Sequence, residues 1–223
     1  MNWILPGTVL EVDGSRPEAA DELFSSLFVT GGLVLSQVCQ ITGLEPYAVQ
    51  NWVKRGFLAP PVKKKYNRRQ LSRIIIINML KTALPMESIC RILSYVNGQL
   101  DDESDDIIDD SVMYLIFLRL AAANRDTWPP RGLQETLDAV LSGYQEPCPG
   151  ARHRVADALE VMLTAWFSSQ LRRSKCSSWA FNPAAHSFKK RRYAHGKRNL
   201  SLDARWRRWE KIPPQEAQRK ASW

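Results

Sequence analysis

The residues best placed to do chemistry in this chain are polar and basic side chains grouped in the middle of its first half. Tyr47, Gln50, Asn51 and Lys54 recur at spacings of three and four, which puts them on one face of a helix. Gln and Asn tips carry both a donor and an acceptor and can pair bidentately with the edge of adenine, so such a ridge is suited to reading bases. A little further on stand Lys63, Lys64 and Lys65, followed by Arg68. Their charge suits phosphate oxygens, which supply affinity rather than sequence preference. The candidates are therefore Tyr47, Gln50 and Asn51 facing bases, with Lys54, Lys63, Lys64, Lys65 and Arg68 on phosphates. A lysine run by itself is more often a solvated loop, and Gln50 and Asn51 also suit the exposed side of a protein-docking helix. The elements around them must decide.

Other chemistries find little support. His153, His186 and His195 are the only histidines, and no Ser/His/Asp order, phosphate-binding Walker loop or dinucleotide glycine motif accompanies them. The expectation is no enzyme and no catalytic residue. Cys39, Cys90, Cys148 and Cys176 are scattered singly, as in a cytoplasmic protein with reduced thiols and neither a metal site nor a cofactor. Seven acids, Asp101, Asp102, Glu103, Asp105, Asp106, Asp109 and Asp110, raise the question of a divalent cation. They lack the glycine and the distal Glu of a calcium loop. They are expected to begin a helix, whose positive end favours them, or to stay solvated; folding back onto the lysines to compete with nucleic acid is the third arrangement.

The net charge of +8 has to be located before it means anything. From Leu171 to Trp223 there are 15 Lys and Arg against 3 acids, so the global basicity belongs to the C-terminal tail. Between Gly31 and Gly98, however, 10 Lys and Arg face only Glu45 and Glu87, and that local excess surrounds the candidate residues. The apolar opening, residues 1–7, has no basic flank and is soon interrupted by Glu11 and Asp13, so neither a signal peptide nor a membrane span is expected.

The positioning elements follow from periodicity. Met1 to Arg16 reads as an irregular lead-in, and Pro17 to Phe28 as a short helix with acids at its positive end. Leu35, Val38, Cys39 and Thr42 share a helical face that Gly43 terminates. Pro46 opens a second helix whose Val49, Trp52 and Val53 face inward. The segment FLAPPVKKKY then forbids helix by its two prolines and forms a basic loop or wing. Asn67 with Gln70 makes a capping box for a third helix, RRQLSRIIIINMLKTAL, where length and cap outweigh the strand preference of four isoleucines. Pro85 opens a fourth, ending at Asn97 and Gly98. Beyond the acidic run and the apolar VMYLIFLRLAAA, helices are expected near Leu133 to Leu141 and from Val155 to Leu171.

The stretch LSQVCQITGLEPYAVQNWVKRGFL, from Leu35 to Leu58, resembles the first two helices of the MerR family, and the continuation through Tyr66 resembles its third and fourth. More closely, GGLVLSQVCQITGL, QNWVKRGFL, KKYNRRQLSRI and LSYVNG, followed by DDESDDIIDDS, are similar to a bacterial family catalogued as domain of unknown function 1836, from about Leu23 to about Leu120. The resemblance implies an all-α fold with a MerR-like winged helix-turn-helix at 31–98. Around it are expected an N-terminal lead-in at 1–30, an acidic linker with a helical accessory or dimerisation region at 99–171, and a disordered basic Trp-containing tail at 172–223. It also implies a transcription regulator of double-stranded DNA, with a recognition helix about Pro46 to Arg55 and a basic wing about Ala59 to Tyr66. Gln50 stands where many MerR proteins carry Arg, and Trp52 where they carry Tyr, so the DNA sequence read is left open. Homodimerisation through Val112 to Leu120 or Val155 to Leu171 is the expected assembly. A protein-interaction adapter and an excisionase-like architectural DNA-binding factor are the alternatives.

Overall fold

The computed structural model describes residues 2–16, 18–29, 31–98, 100, 102–125 and 132–179. Among these the chain is predominantly helical. The N-terminal stretch is not irregular: β1 (Asn2–Ile4) and β2 (Glu11–Asp13) pair antiparallel, with Trp3 opposite Val12. Strands of three residues are too short to show an alternating pattern, which is why the sequence concealed them. Then come α1 (Ala19–Leu27), α2 (Leu35–Thr42), α3 (Pro46–Lys54), α4 (Arg68–Leu80), α5 (Met86–Asn97), a 3-10 turn at Glu103–Asp105, α6 (Asp110–Ala123), α7 (Leu133–Val140) and α8 (Ala151–Trp179). Helix α8 runs past the expected end at Leu171; the basic stretch 180–223, expected to be disordered, lies outside the described residues.

Local chemistry sets the ends of the elements around the candidate site. Gly43 closes α2 in the left-handed region at φ 68°, and Pro46 occupies the first turn of α3. Asn67 accepts from the Gln70 amide at 2.7 Å while the Gln70 side chain accepts from the Asn67 amide at 2.9 Å, so the expected capping box starts α4.

Helix α4 is the axis of the packing. Its residues from Gln70 through Ile77 are all buried, and it touches α2, α5, α6 and α8. The four isoleucines therefore find apolar neighbours on every side, a helix buried all round rather than along one stripe. The N-terminal hairpin is tied to it: Asn78 donates to the carbonyls of Gly7 and Thr42, each at 2.9 Å, and the buried Tyr114 hydroxyl of α6 donates to Pro6 O at 2.7 Å. Gly7 sits at φ 79°, where a Cβ would stand 2.5 Å from Ile75 O. One hydrophobic cluster extends from Leu5 to Phe167. Most of α6 is consumed in it, leaving Val112 at 44% exposure, and Leu171 on α8 keeps 42%.

The acids do begin a helix. Asp109 caps α6 by accepting from the Ser111 amide at 2.7 Å. Two of them, however, are not solvated. Asp110, fully buried, accepts from Arg73 Nη1 at 3.3 Å and from Asn97 Nδ2 at 2.6 Å, and Asp106 is ion-paired with Arg69. The two arginines are four residues apart in sequence, as are the two aspartates, so one turn of α4 faces the segment entering α6. Burial pushes both carboxyls upward despite the pull of the arginines, that of Asp106 to about 6.

Removing one member of a buried ion pair strands the other charge. Asp110→Ala is expected to destabilise the fold by about 3–5 kcal/mol, read as a lower urea midpoint. Asp106 has a second signature. Because its folded pKa lies above its ordinary value, the fold favours the protonated form; its contribution to stability is complete below about pH 4 and is lost as pH rises through about 6. Stability of the parent protein is thus expected to rise on going from about pH 7 to about pH 5, and Asp106→Asn to flatten that rise in a series of thermal melts.

Candidate nucleic-acid interface

Helix α3 is amphipathic in the way its sequence demands. Val49 and Trp52 are buried, while Gln50, Asn51 and Lys54 are exposed and Tyr47 is 72% exposed. The helix is fixed by its neighbours: α2 packs against it, and Lys81 lies 5.8 Å from the Trp52 ring centroid. Arg55, just past the helix, is turned aside. Its guanidinium stacks 4.7 Å over Phe57 and comes within 3.9 Å of Glu87.

The lysines lie on a tight reversal. Val62 and Lys65 form an antiparallel bridge, with the Lys65 amide donating to Val62 O at 2.9 Å, and Tyr66 pairs with Leu33 just before α2. The two residues at the tip, Lys63 and Lys64, have φ of 50° and 62°, and they are the non-glycine residues with positive φ among those described. Two-residue hairpin turns of this hand favour Asn-Gly because a Cβ is unwelcome there. Lysine at both positions costs about 1 kcal/mol each.

The segment between α3 and this turn is held from behind by α4. Gln70 Nε2 donates to Ala59 O at 3.1 Å and Pro60 O at 2.9 Å, and Arg73 Nε donates to Phe57 O at 3.2 Å. These two side chains are not among the candidates that the sequence suggests. The signal was present, since an arginine and a glutamine inside an otherwise apolar helix need buried partners.

Held in this way, α3 and the turn enclose a cleft of about 430 Å³ lined by Leu35, Gln50, Val53, Lys54, Pro61, Lys64 and Tyr66. It brings Gln50, Lys54 and Lys64 together. Tyr47 and Asn51 are not among its lining residues; they stand on the exposed side of α3. Lys65 lies on the other side of its strand, over Gly31 and Gly32: an added Cβ on these glycines would lie 4.0 Å from Lys65 Nζ and 3.0 Å from Lys65 Cβ respectively. Arg68 opens α4 half-buried, its Nε enclosed without a hydrogen-bond partner. It does not line the cleft. The thiols of Cys39 and Cys90 are pushed up by burial, which holds them in the unreactive protonated form. Among the described residues no three His, Cys, Asp or Glu side chains are grouped to hold a metal ion, and no helix is long and apolar enough to cross a membrane.

Comparison with known proteins agrees with the placement of this region and is silent on its task. A family described as "Domain of unknown function (DUF1836)" matches residues 32–117, a span that runs from the approach to α2 into α6. The uncharacterized protein YkrK of Bacillus subtilis (strain 168) is 34% identical over 84 residues, which cover 36% of this chain and 36% of the relative. The match thus spans about a third of the length of that curated relative. No solved structure matches the chain.

The strain at the lysine turn is directly measurable. Replacing Lys63 by Asn together with Lys64 by Gly is expected to stabilise the fold by about 1 kcal/mol, a rise of about 2–4 °C in melting temperature for a chain of this size. A lower melting temperature would mean that the left-handed conformation carries no strain.

Proposed function

We propose that this chain is a sequence-specific regulator of transcription that binds double-stranded DNA through a MerR-like winged helix-turn-helix. In this reading α2 and α3 form the helix-turn-helix, α3 is the recognition helix and the Val62–Lys65 reversal is the tip of the wing. The observation that carries it is the exposed ridge of Tyr47, Gln50, Asn51 and Lys54 on a helix whose Val49 and Trp52 are anchored in the core, with a strained lysine turn beside it. A helix about 10–12 Å across fits the major groove, and its polar side chains then reach base edges while basic loops track phosphates. The local charge supports it, since the 31–98 region is strongly basic although the first 170 residues together are acidic. Tyr47 and Asn51 are the residues assigned to bases, and Lys54 with Lys63 and Lys64 at the wing tip the residues assigned to phosphates. Among the described residues, Val112 of α6 and Leu171 of α8 keep the apolar surface that pairing with a second copy would use.

The test is binding of the full chain to a pool of random duplexes at low ionic strength, followed by a salt titration on the sequences selected. Replacing Lys63, Lys64 and Lys65 together by Ala is expected to weaken binding on all sequences and to reduce the slope of log K against log salt by about 0.9 for each phosphate left without its cation. Asn51→Ala is expected to relax sequence preference, costing about 1–3 kcal/mol of discrimination at its base pair. A folded chain that ignores every duplex at low salt overturns the reading and leaves a protein-docking role for the same face. Protection of direct repeats at a recombination site, in place of a palindromic promoter site, would favour an architectural factor.

A further inference from the structure

The cleft between α3 and the lysine turn is mixed in its chemistry. Its lining is largely apolar, from Leu35, Val53, Pro61 and Tyr66, and the side chains of Lys54 from the helix, Lys64 from the turn and Gln50 border it. The geometry points to a seat for one sugar–phosphate unit of a duplex backbone. Lys54 and Lys64 take the same phosphate, Gln50 donates to it, and the deoxyribose lies on the apolar lining. The inference rests on the DNA-binding reading and goes further, because it divides residues that the sequence could only group.

Three features of the chain carry the division. Lys64 at the tip of the turn and Tyr66 line the cleft, while Lys65 between them lies over Gly31 and Gly32. Lys64 stands in a left-handed conformation that a lysine resists, and backbone strain of this kind is characteristic of ligand clamps. A third point concerns Gln50, which lines the cleft rather than the outer side of α3 where Tyr47 and Asn51 stand. Gln50 is therefore a phosphate-side residue, and base reading falls to Tyr47 and Asn51. The occupant is taken to be a phosphodiester rather than an apolar ligand because two lysines, from different elements, border the same cleft. Burying an apolar molecule there would leave both partly desolvated without a counter-charge.

The experiment uses the full chain, fluorescently labelled duplex, and single-stranded oligonucleotide of the same sequence, with salt titrations for Lys54→Ala, Lys64→Ala, Lys65→Ala and the Lys54/Lys64 double variant. All the substituted positions are solvent-exposed, and a thermal melt confirms that each variant is folded. If Lys54 and Lys64 share one phosphate, the double variant loses about 0.9 in salt slope, with about an eightfold weaker association at 0.1 M salt relative to a 1 M reference. Each single variant then loses only part of that, and Lys65→Ala leaves the slope unchanged. A loss of about 1.8 in the double variant means two separate phosphates and overturns the seat. So does a Lys65→Ala effect equal to that of Lys64→Ala. Tighter binding of the single strand with the same lysine dependence overturns the duplex as occupant. In each of these cases the parent protein still binds nucleic acid; absence of any binding by the parent instead removes the DNA reading together with the seat.

Discussion

A helix surrounded by protein on every side can carry charge only where a partner is supplied, and α4 carries two arginines, a glutamine and an asparagine in its buried turns. Each of these side chains is committed to a tie that determines where another element lies. Asn78 takes the carbonyls of Gly7 and Thr42, so the N-terminal hairpin and the end of α2 are joined through one amide. Arg73 divides its guanidinium between Phe57 O, shortly after α3, and the Asp110 carboxylate at the start of α6. Gln70 holds two further carbonyls, at Ala59 and Pro60. The spacing between α3 and the lysine turn is thus dictated from the interior, and the cleft between them follows from the polar residues of a buried helix.

That arrangement makes the acidic segment structural. Asp106 and Asp110 neutralise the α4 arginines and are committed there rather than over the lysine turn. The local basicity that draws attention to residues 31–98 is therefore partly spent: Arg69 and Arg73 are used internally, and Arg55 is occupied by Phe57 and Glu87. What faces outward beside α3 is concentrated in Lys54 and the turn. A short, dense patch of that kind suits a backbone contact better than an even charge excess would.

Much of this was legible where a residue type has one local use. Gly43 as a left-handed terminus, Pro46 in a first turn and Asn67 with Gln70 as a reciprocal cap act over three or four residues, and the elements they bound lie where the sequence places them. The inward set of α3 was equally plain from the spacing of Val49 and Trp52. What escaped was either too short or too distant. Strands of three residues have no period to detect, and the Arg73–Asp110 pair joins positions 37 residues apart, so only the matching four-residue intervals of the two arginines and the two aspartates hinted at it. The side of its strand on which each lysine lies depends on the register of a tight turn, which composition does not encode.

The hairpin at the start of the chain also bears on what counts as one folding unit. The family match begins at residue 32, yet Leu5 is fully enclosed, Gly7 lies against the backbone of Ile75, and Tyr114 spends its hydroxyl on Pro6. The shared segment is thus closed by a plug that lies outside it. A fragment trimmed to the shared boundaries would have exposed isoleucines, an Asn78 amide left with one of its two acceptors and a phenol without its acceptor, so the smallest autonomous piece is set by packing and not by kinship.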